Sequence, residues 1–422
     1  MTDQQCNCPD YTASRRAMLR NLALVGAGTV ATSVFGDTFR QAAYGATGDG
    51  NVLIVLSLRG GADSLSMVVP HGESYYYEHR PRIAVPRGTL VAQDDSFGLH
   101  PQFEPLLPMW NAGTFGVVLA TGLPQPNRSH FDAIEQIEDA DPGSVARTGW
   151  INRMIGLDTL TSPLQAVNLG SGLEPASLMG PQSTLATETT NDIELAGGDD
   201  PTAKGWRRRA LQQVWGKQPG PLGVGARASL ATTAKLGPAL RKQYQPQAAY
   251  PVTDLGDALK DTARLIKAKV GVKVVTLDYG SWDMHTNVGT LQSTGELTMK
   301  GMVRGFATGV AAFFKDLGPL ASRVTLVTLT EFGRRVSQNG TGGLDHGWAN
   351  ATFAFGAGVK GGQFHGNWPG LGSGSLVDGD LKVTTDYRSV LTEILETRFA
   401  SVSVPAVFPG FKPESVGLMR AS

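Results

Sequence analysis

Four of the seven histidines in this 422-residue chain, His130, His285, His346 and His365, stand in glycine-rich segments or just past an apolar run. Asp63, Asp278, Asp283, Glu331 and Asp345 fall in segments of the same kind. A lone histidine in a loop is ordinarily a surface or hydrogen-bonding residue, but a set of imidazoles and carboxylates at matching places in the chain asks for a common cause. Crowded carboxylates repel and raise one another's pKa unless a cation compensates. A bound divalent ion is therefore the economical explanation. Mixed imidazole and carboxylate donors suit Zn2+ first and Mn2+ next, with oxygen-rich positions open to Mg2+ or Ca2+. In two-metal sites, ions roughly 3.5–4 Å apart clamp the attacking and leaving oxygens of an in-line displacement. A hydroxyl is also in place. Ser129 opens a segment with Phe131, Ile134 and Ile137 at helical spacing, where a serine is plainly an N-cap and, beside such acids, a nucleophile for a phosphoryl or sulfuryl centre.

Apolar runs explain how these residues could be brought together. Val324–Thr330 reads as a buried parallel strand, and it runs into Glu331, then Arg334, then the Asp345–His346 pair of a glycine-rich loop. Lys273–Asp278 opens in the same way into Asp283 and His285, and Asn51–Leu58 opens into RGGADS with Asp63. In open α/β sheets ligands bind at the carboxyl ends of strands, so three strand ends would deliver three acidic clusters to one place. A further strand is expected over Thr114–Ala120. Helices are expected over Pro101–Trp110, Trp150–Leu157, Thr202–Trp215, Val224–Tyr244, Asp254–Ala268, Leu297–Leu317 and Asp386–Phe399, with residues 170–184 a loop and His365 in a turn. Strand and helix alternation of this kind predicts an α/β doubly wound sheet, and residues 143–250, less periodic, an inserted cap.

Composition narrows the function classes. Basic and acidic residues balance at 37 each and no basic run is interleaved with aromatics, so a nucleic-acid partner is excluded. Ser14-Arg15-Arg16-Ala17-Met18-Leu19-Arg20 fits a twin-arginine export signal, followed by the weakly apolar Leu22–Gly36 and small residues at Ala42–Ala46, with cleavage expected near Ala46. That apolar stretch is shorter than the roughly 20 residues needed to span a bilayer, so the mature form is expected to carry no stable membrane span. Cys6 and Cys8 both precede it. A mature chain without thiols must build any metal site from carboxylate and imidazole.

Taken in order, RGGADSL, NRSHFDAIEQIE, DYGSWDMHT, TEFGRR, GLDHG and GGQFHG resemble the exported bacterial domain-of-unknown-function family fifteen-oh-one, grouped with the alkaline phosphatase superfamily. The resemblance runs over nearly the whole mature chain, residues 47–422. It implies an alkaline-phosphatase-like three-layer sandwich around a mostly parallel central sheet. It also implies Asp63, Ser129, Asp345 and His346 as one metal set and Asp283, His285 and His365 as the other, with Asp278 similar to a third acidic position. Three departures stand out. Asp63 follows the strand end by several residues, Asp283 and His285 are two apart where four is usual, and the strand that should end in Asp-His ends in Glu331-Phe332. Either Glu331 or Asp345 could hold the metal. NRSHF lacks the C/S-x-P-x-R setting of a sulfatase nucleophile.

Together these readings predict an extracytoplasmic, metal-dependent hydrolase of phosphate or sulfate esters. Ser129 would be the nucleophile, Arg334 would bind the equatorial oxygens, and the substrate would be a small-molecule or glycan ester. The twin-arginine translocase would be the partner in export. The alternative is a non-catalytic, metal-stabilised binding protein of the cell surface.

Overall fold

The structure, a computed structural model, describes residues 50–141, 147–158, 162–193, 201–240 and 243–420. The expected export signal and both cysteines lie outside the described residues. At the centre is a nine-stranded sheet built on Val52–Leu58 (β1), whose seven residues are all buried, as a continuous apolar run in a parallel sheet requires. A small two-stranded sheet pairs Val68–Val69 (β2) with Gly98–Leu99 (β3). The remaining strands of the large sheet are Phe115–Gly122 (β4), Ala166–Leu169 (β5), Leu185–Thr187 (β6), Val274–Tyr279 (β7), Val324–Leu329 (β8), Asn350–Gly356 (β9), Phe364–His365 (β10) and Thr385–Asp386 (β11). Their order is β10-β4-β9-β8-β1-β7-β5-β6, with β11 also beside β4.

All pairings in this sheet are parallel except those of β9, which runs antiparallel to both β4 and β8. Because β8 and β9 are adjacent, they form a hairpin, and its 330–349 connection stands at the carboxyl ends of the parallel strands. The register places the neighbouring strand ends level with it: Ser57 lies opposite Asp278 on β7 and Leu329 on β8. Loops starting at residues 59, 280 and 330 therefore open side by side.

Alternation along β1 shows why two helical layers cover the sheet. Ile54, Leu56 and Leu58 join a core with the Asp254–Lys267 and Met299–Leu317 helices, whereas Leu53 and Val55 join one with the His130–Asp139, Trp150–Gly156 and Tyr387–Arg398 helices. This is the three-layer, mostly parallel α/β sandwich expected from the sequence. The 143–250 segment is not wholly a cap, since β5 and β6 lie within it and form one edge of the sheet. It is fastened to the helical layer by Asp316, fully buried, which accepts from the Tyr244 and Tyr250 hydroxyls at 2.6 and 2.8 Å, the Gln247 N–H at 2.7 Å and Lys267 Nζ at 2.6 Å.

Other expectations shift locally. Pro105 and Pro108 break the 101–111 segment into a 3-10 turn over Pro101–Leu106 and a short α-helix over Leu107–Asn111. The 170–184 segment holds a 3-10 turn at Ala176–Leu178, and His365 lies on the short edge strand β10 rather than in a turn. Among the described residues no helix is long and apolar enough to cross a membrane.

Candidate metal centre

Glycine geometry prepares the floor of the site. Gly60 and Gly61 follow β1 with φ of 107° and 69°, in the left-handed region that side chains rarely adopt. A Cβ on Gly60 would meet the Asp283 nitrogen at 2.7 Å, and one on Gly61 the Phe332 ring at 2.7 Å. The turn so formed aims both amide N–H groups at Glu331, at 2.7 and 3.1 Å. Beneath it the buried Arg334 donates to the Gly60, Gly61, Leu344 and Trp282 carbonyls and to Asp283 Oδ1 at 2.6 Å. One guanidinium thus ties together the loops that leave β1, β7 and β8.

Three imidazoles meet above this floor. His130 begins the 130–139 helix, His285 lies in the loop after β7, and His346 in the hairpin loop. Each has its Nδ1 against an acceptor: His130 against Glu331 Oε1 at 3.3 Å, His285 against Asp345 Oδ1 at 2.9 Å, and His346 against the Arg128 carbonyl at 2.8 Å. A carbonyl or carboxylate oxygen can only accept, so a neutral ring that donates to its outer partner carries its proton on Nδ1 and turns a bare Nε2 inward, the tautomer a metal ligand needs. His346 Nε2 lies 3.0 Å from His130 Nε2 and 2.9 Å from His285 Nε2. Asp283 Oδ1 stands 3.5, 3.0 and 3.3 Å from the Nε2 atoms of His130, His285 and His346 respectively.

Three lone pairs and a carboxylate oxygen in van der Waals contact repel unless a cation lies among them. The distances describe two triangular faces sharing the His346–Asp283 edge, with sides of 3.0, 3.5 and 3.3 Å on the His130 face. Donors on a tetrahedral Zn2+ at 2.0–2.1 Å are separated by about 3.3 Å, so the donor set fits a divalent ion. His130, Asp283 and His346 place their donor atoms within 4.8 Å of one another. The Nδ1 partners are those of metal-bound histidines, whose second nitrogen is typically fixed by a carboxylate or backbone carbonyl.

Electrostatics agree with the ligand form. Burial alone would raise the Asp283 pKa, but hydrogen bonding and charge from Arg334, aided by His285 and His346, outweigh it and hold the carboxyl below its ordinary range. His346 is pushed down chiefly by burial, and further by Arg334 and His130, which favours the neutral ring. The Asp345 carboxyl is held low first by its hydrogen bond to His285.

The structure brings together Asp283, His285 and His346 with Glu331 and Asp345 as partners of imidazole nitrogens. Glu331 meets His130 Nδ1 and Asp345 meets His285 Nδ1, each carboxylate on the outer side of its ring. His130, noticed in the sequence but not assigned to the metal, is an inward-facing donor. Its signal was the position one residue into a helix that starts at the sheet's carboxyl edge.

Asp63, Asp278 and His365 stand apart. Asp63 is buried as the N-cap of Ser64–Met67 and binds Arg80 through both oxygens at 2.5 and 2.8 Å. Asp278 turns to Arg59 Nε at 2.9 Å. His365 Nε2 donates to the Lys360 carbonyl at 2.7 Å on the far strand β10. Arg334 has its donors engaged with carbonyls and Asp283 and is 2% exposed, leaving no open face for a substrate oxygen. Ser129 caps the 130–139 helix, but its Oγ stands 3.5 Å from the Asp132 N–H, and the residue is exposed. Phe131, expected on the apolar face with Ile134 and Ile137, is instead 86% exposed, because the buried stripe passes through Ala133 and Ile137.

An α/β sandwich with an imidazole-carboxylate centre at the carboxyl ends of its strands is the class that fold and site define. Residues 114–388 match the model of the family described as protein of unknown function, DUF1501, and the chain belongs to that family. No curated protein matches the chain. Among solved structures it is similar to the C-terminal periplasmic domain of EcEptC from Escherichia coli, at 12% identity and a TM-score of 0.34 over 88% of this chain and 90% of that one. It is also similar to BT1596, a 2-O GAG sulfatase, at 10% identity and a TM-score of 0.35 over 86% of this chain and 73% of that one. A protein of the alkaline phosphatase superfamily from Vibrio parahaemolyticus follows at 10% identity and a TM-score of 0.32, covering 77% and 64% of the two chains.

Proposed function

We propose that the protein is an exported, metal-dependent hydrolase of phosphate or sulfate esters. The observation that supports this reading is the convergence of three Nδ1-anchored imidazoles with Asp283. His130, His285, His346 and Asp283 would hold the ion, Zn2+ before Mn2+, Mg2+ or Ca2+. When bound, it would supply positive charge that lowers the pKa of a nearby hydroxyl and stabilises charge on the ester oxygens.

Ser129 is the nucleophile on this reading. Its neighbours on both sides belong to the centre, Arg128 through its carbonyl and His130 through its ring, and its Oγ has only a long cap bond to give up. Ser129 Oγ would form a bond to phosphorus or sulfur as the bond to the alcohol breaks, the alcohol leaving with the serine proton, and water would then release the oxyanion. Export by the twin-arginine translocase belongs to the same proposal and suits a protein that folds around metal before it crosses the membrane.

The cap bond of Ser129 favours the competing reading, a binding protein in which the ligands only fasten loops. Ser129→Ala separates the two. As a nucleophile lost, it lowers turnover of aryl phosphate or sulfate esters by several orders of magnitude with metal content intact. As a cap lost, it costs about 0.5–2 kcal/mol of stability and leaves any hydrolysis alone. Wild-type protein that is metal-loaded yet inert on every ester tried sinks the hydrolase.

A further inference from the structure

The proposed substrates carry an anionic group, and Arg334, the arginine nearest the centre, cannot meet it because its donors face carbonyls and Asp283. Two other arginines touch the site through their backbones. Arg128, whose carbonyl fixes His346, donates from Nε at 3.1 Å and from Nη2 to the same Oδ2 of Asp380. Arg335, whose N–H donates to the Asp345 carbonyl at 2.9 Å, brings Nε within 3.8 Å of Asp380 Oδ1. That is too long for a hydrogen bond, and Oδ1 is a buried oxygen without a hydrogen-bond partner.

One carboxylate, 1% exposed, therefore stands between two guanidiniums whose side chains are 39% and 38% exposed. Among the described residues the Arg335 guanidinium makes no hydrogen bond, and its charge reaches Asp345. Asp380 is set in the 377–380 turn, where a Cβ on Gly379 would lie 3.1 Å from Arg335 Nη1, and the exposed Asp378 stands beside it. Structural pairing alone would close each arginine onto its own acid. This arrangement spends the Nε–Nη2 edge of Arg128 on one oxygen of Asp380 and leaves its Nη1 and the whole Arg335 guanidinium without a hydrogen bond among the described residues, donors that suit an oxoanion.

We propose that Arg128 and Arg335, braced by Asp380, form the anion receptor of the site and grip the non-bridging oxygens of a phosphoryl or sulfuryl group. The inference rests on the ester-substrate reading, and its test needs no turnover. Inorganic phosphate and sulfate are titrated calorimetrically into the full chain, with and without prior chelation, at two salt concentrations. Arg128→Gln and Arg335→Gln should each weaken binding roughly tenfold or more, the effect of one charge-assisted contact. Asp380→Asn should tighten it by releasing both guanidiniums. Thermal melts accompany each variant. Should Arg128→Gln fail to fold, Arg335→Gln, which gives up no hydrogen bond, carries the test.

Equal affinity in wild type and Arg335→Gln, or no binding of either anion at millimolar concentration, overturns the receptor. Arginine-dependent binding by a protein that hydrolyses no ester leaves the receptor standing and removes only the hydrolase.

Discussion

The histidines of the candidate metal centre and three of the other four, His71, His100 and His365, are engaged by their neighbours in opposite ways. His130, His285 and His346 give their Nδ1 proton outward to an acceptor and turn a bare Nε2 to one another. His71 and His365 do the reverse, donating from Nε2 to carbonyls, and His100 accepts the Gln102 N–H at Nδ1, so its proton must sit on Nε2. Carboxylates divide in the same way. Asp63 is met on both oxygens by Arg80, while Asp283 shares one oxygen between Arg334 and three rings. A group that satisfies its neighbours is structural, whereas groups aimed at one another with nothing to donate form the arrangement a cation would complete.

The sharpest way to break this division is to remove an inward nitrogen. His346→Ala, which sits on both triangular faces, should empty the site of metal and lower ester turnover by several orders of magnitude. Elemental analysis beside a hydrolysis assay checks it, and retained metal at wild-type occupancy would falsify the centre. The Asp63→Asn protein should show the opposite pattern. Losing that charge leaves Arg80, itself fully buried, unpaired at a cost of about 3–5 kcal/mol in denaturant unfolding, with metal content unchanged.

His100 tests the structural side by pH. Burial, with Lys300 adding to it, pushes its pKa down to about 4. The unfolded chain, with an ordinary imidazole near 6.5, binds the proton more readily, so His100 favours the fold fully above pH 6.5 and that contribution is lost as pH falls towards 4. It amounts to roughly 3 kcal/mol across the window. Unfolding free energies of His100→Gln should fall less steeply between pH 6.5 and 4 than those of the wild type. The smallest effect expected is that of Asp345→Asn, which loosens His285 without removing a donor and should weaken metal binding about 10–100-fold.

Continuous apolar runs made β1, β7 and β8 legible before any coordinates, and with them the strand ends that carry Asp283, His285, Glu331 and His346. Strands β2, β3, β5, β6, β9, β10 and β11 were not foreseen; all but the seven-residue β9 have two to four residues, too few to give a periodicity to read. Partners were hidden for a related reason. Nothing near Asp63 in the chain marks Arg80, 17 residues on, as the charge that occupies it. Arg334 looked free because three of its four carbonyl partners come from loops distant in sequence. The outer partners of His130, His285 and His346 too are tertiary neighbours, 201, 60 and 218 residues away.

The hairpin between β8 and β9 bears on how such a centre can change over generations. Both ends of the 330–349 connection are pinned to adjacent strands, so its length is nearly independent of the sheet: doubling a flexible loop costs only about 0.6 kcal/mol in closure entropy. An acid-histidine pair can thus migrate along this tether by insertion or deletion while the strands keep their register. Asp345 and His346, well past the strand end, are held at the site by contacts that such a migration would have to remake, the Arg335 N–H on the Asp345 carbonyl and the Arg128 carbonyl on His346 Nδ1.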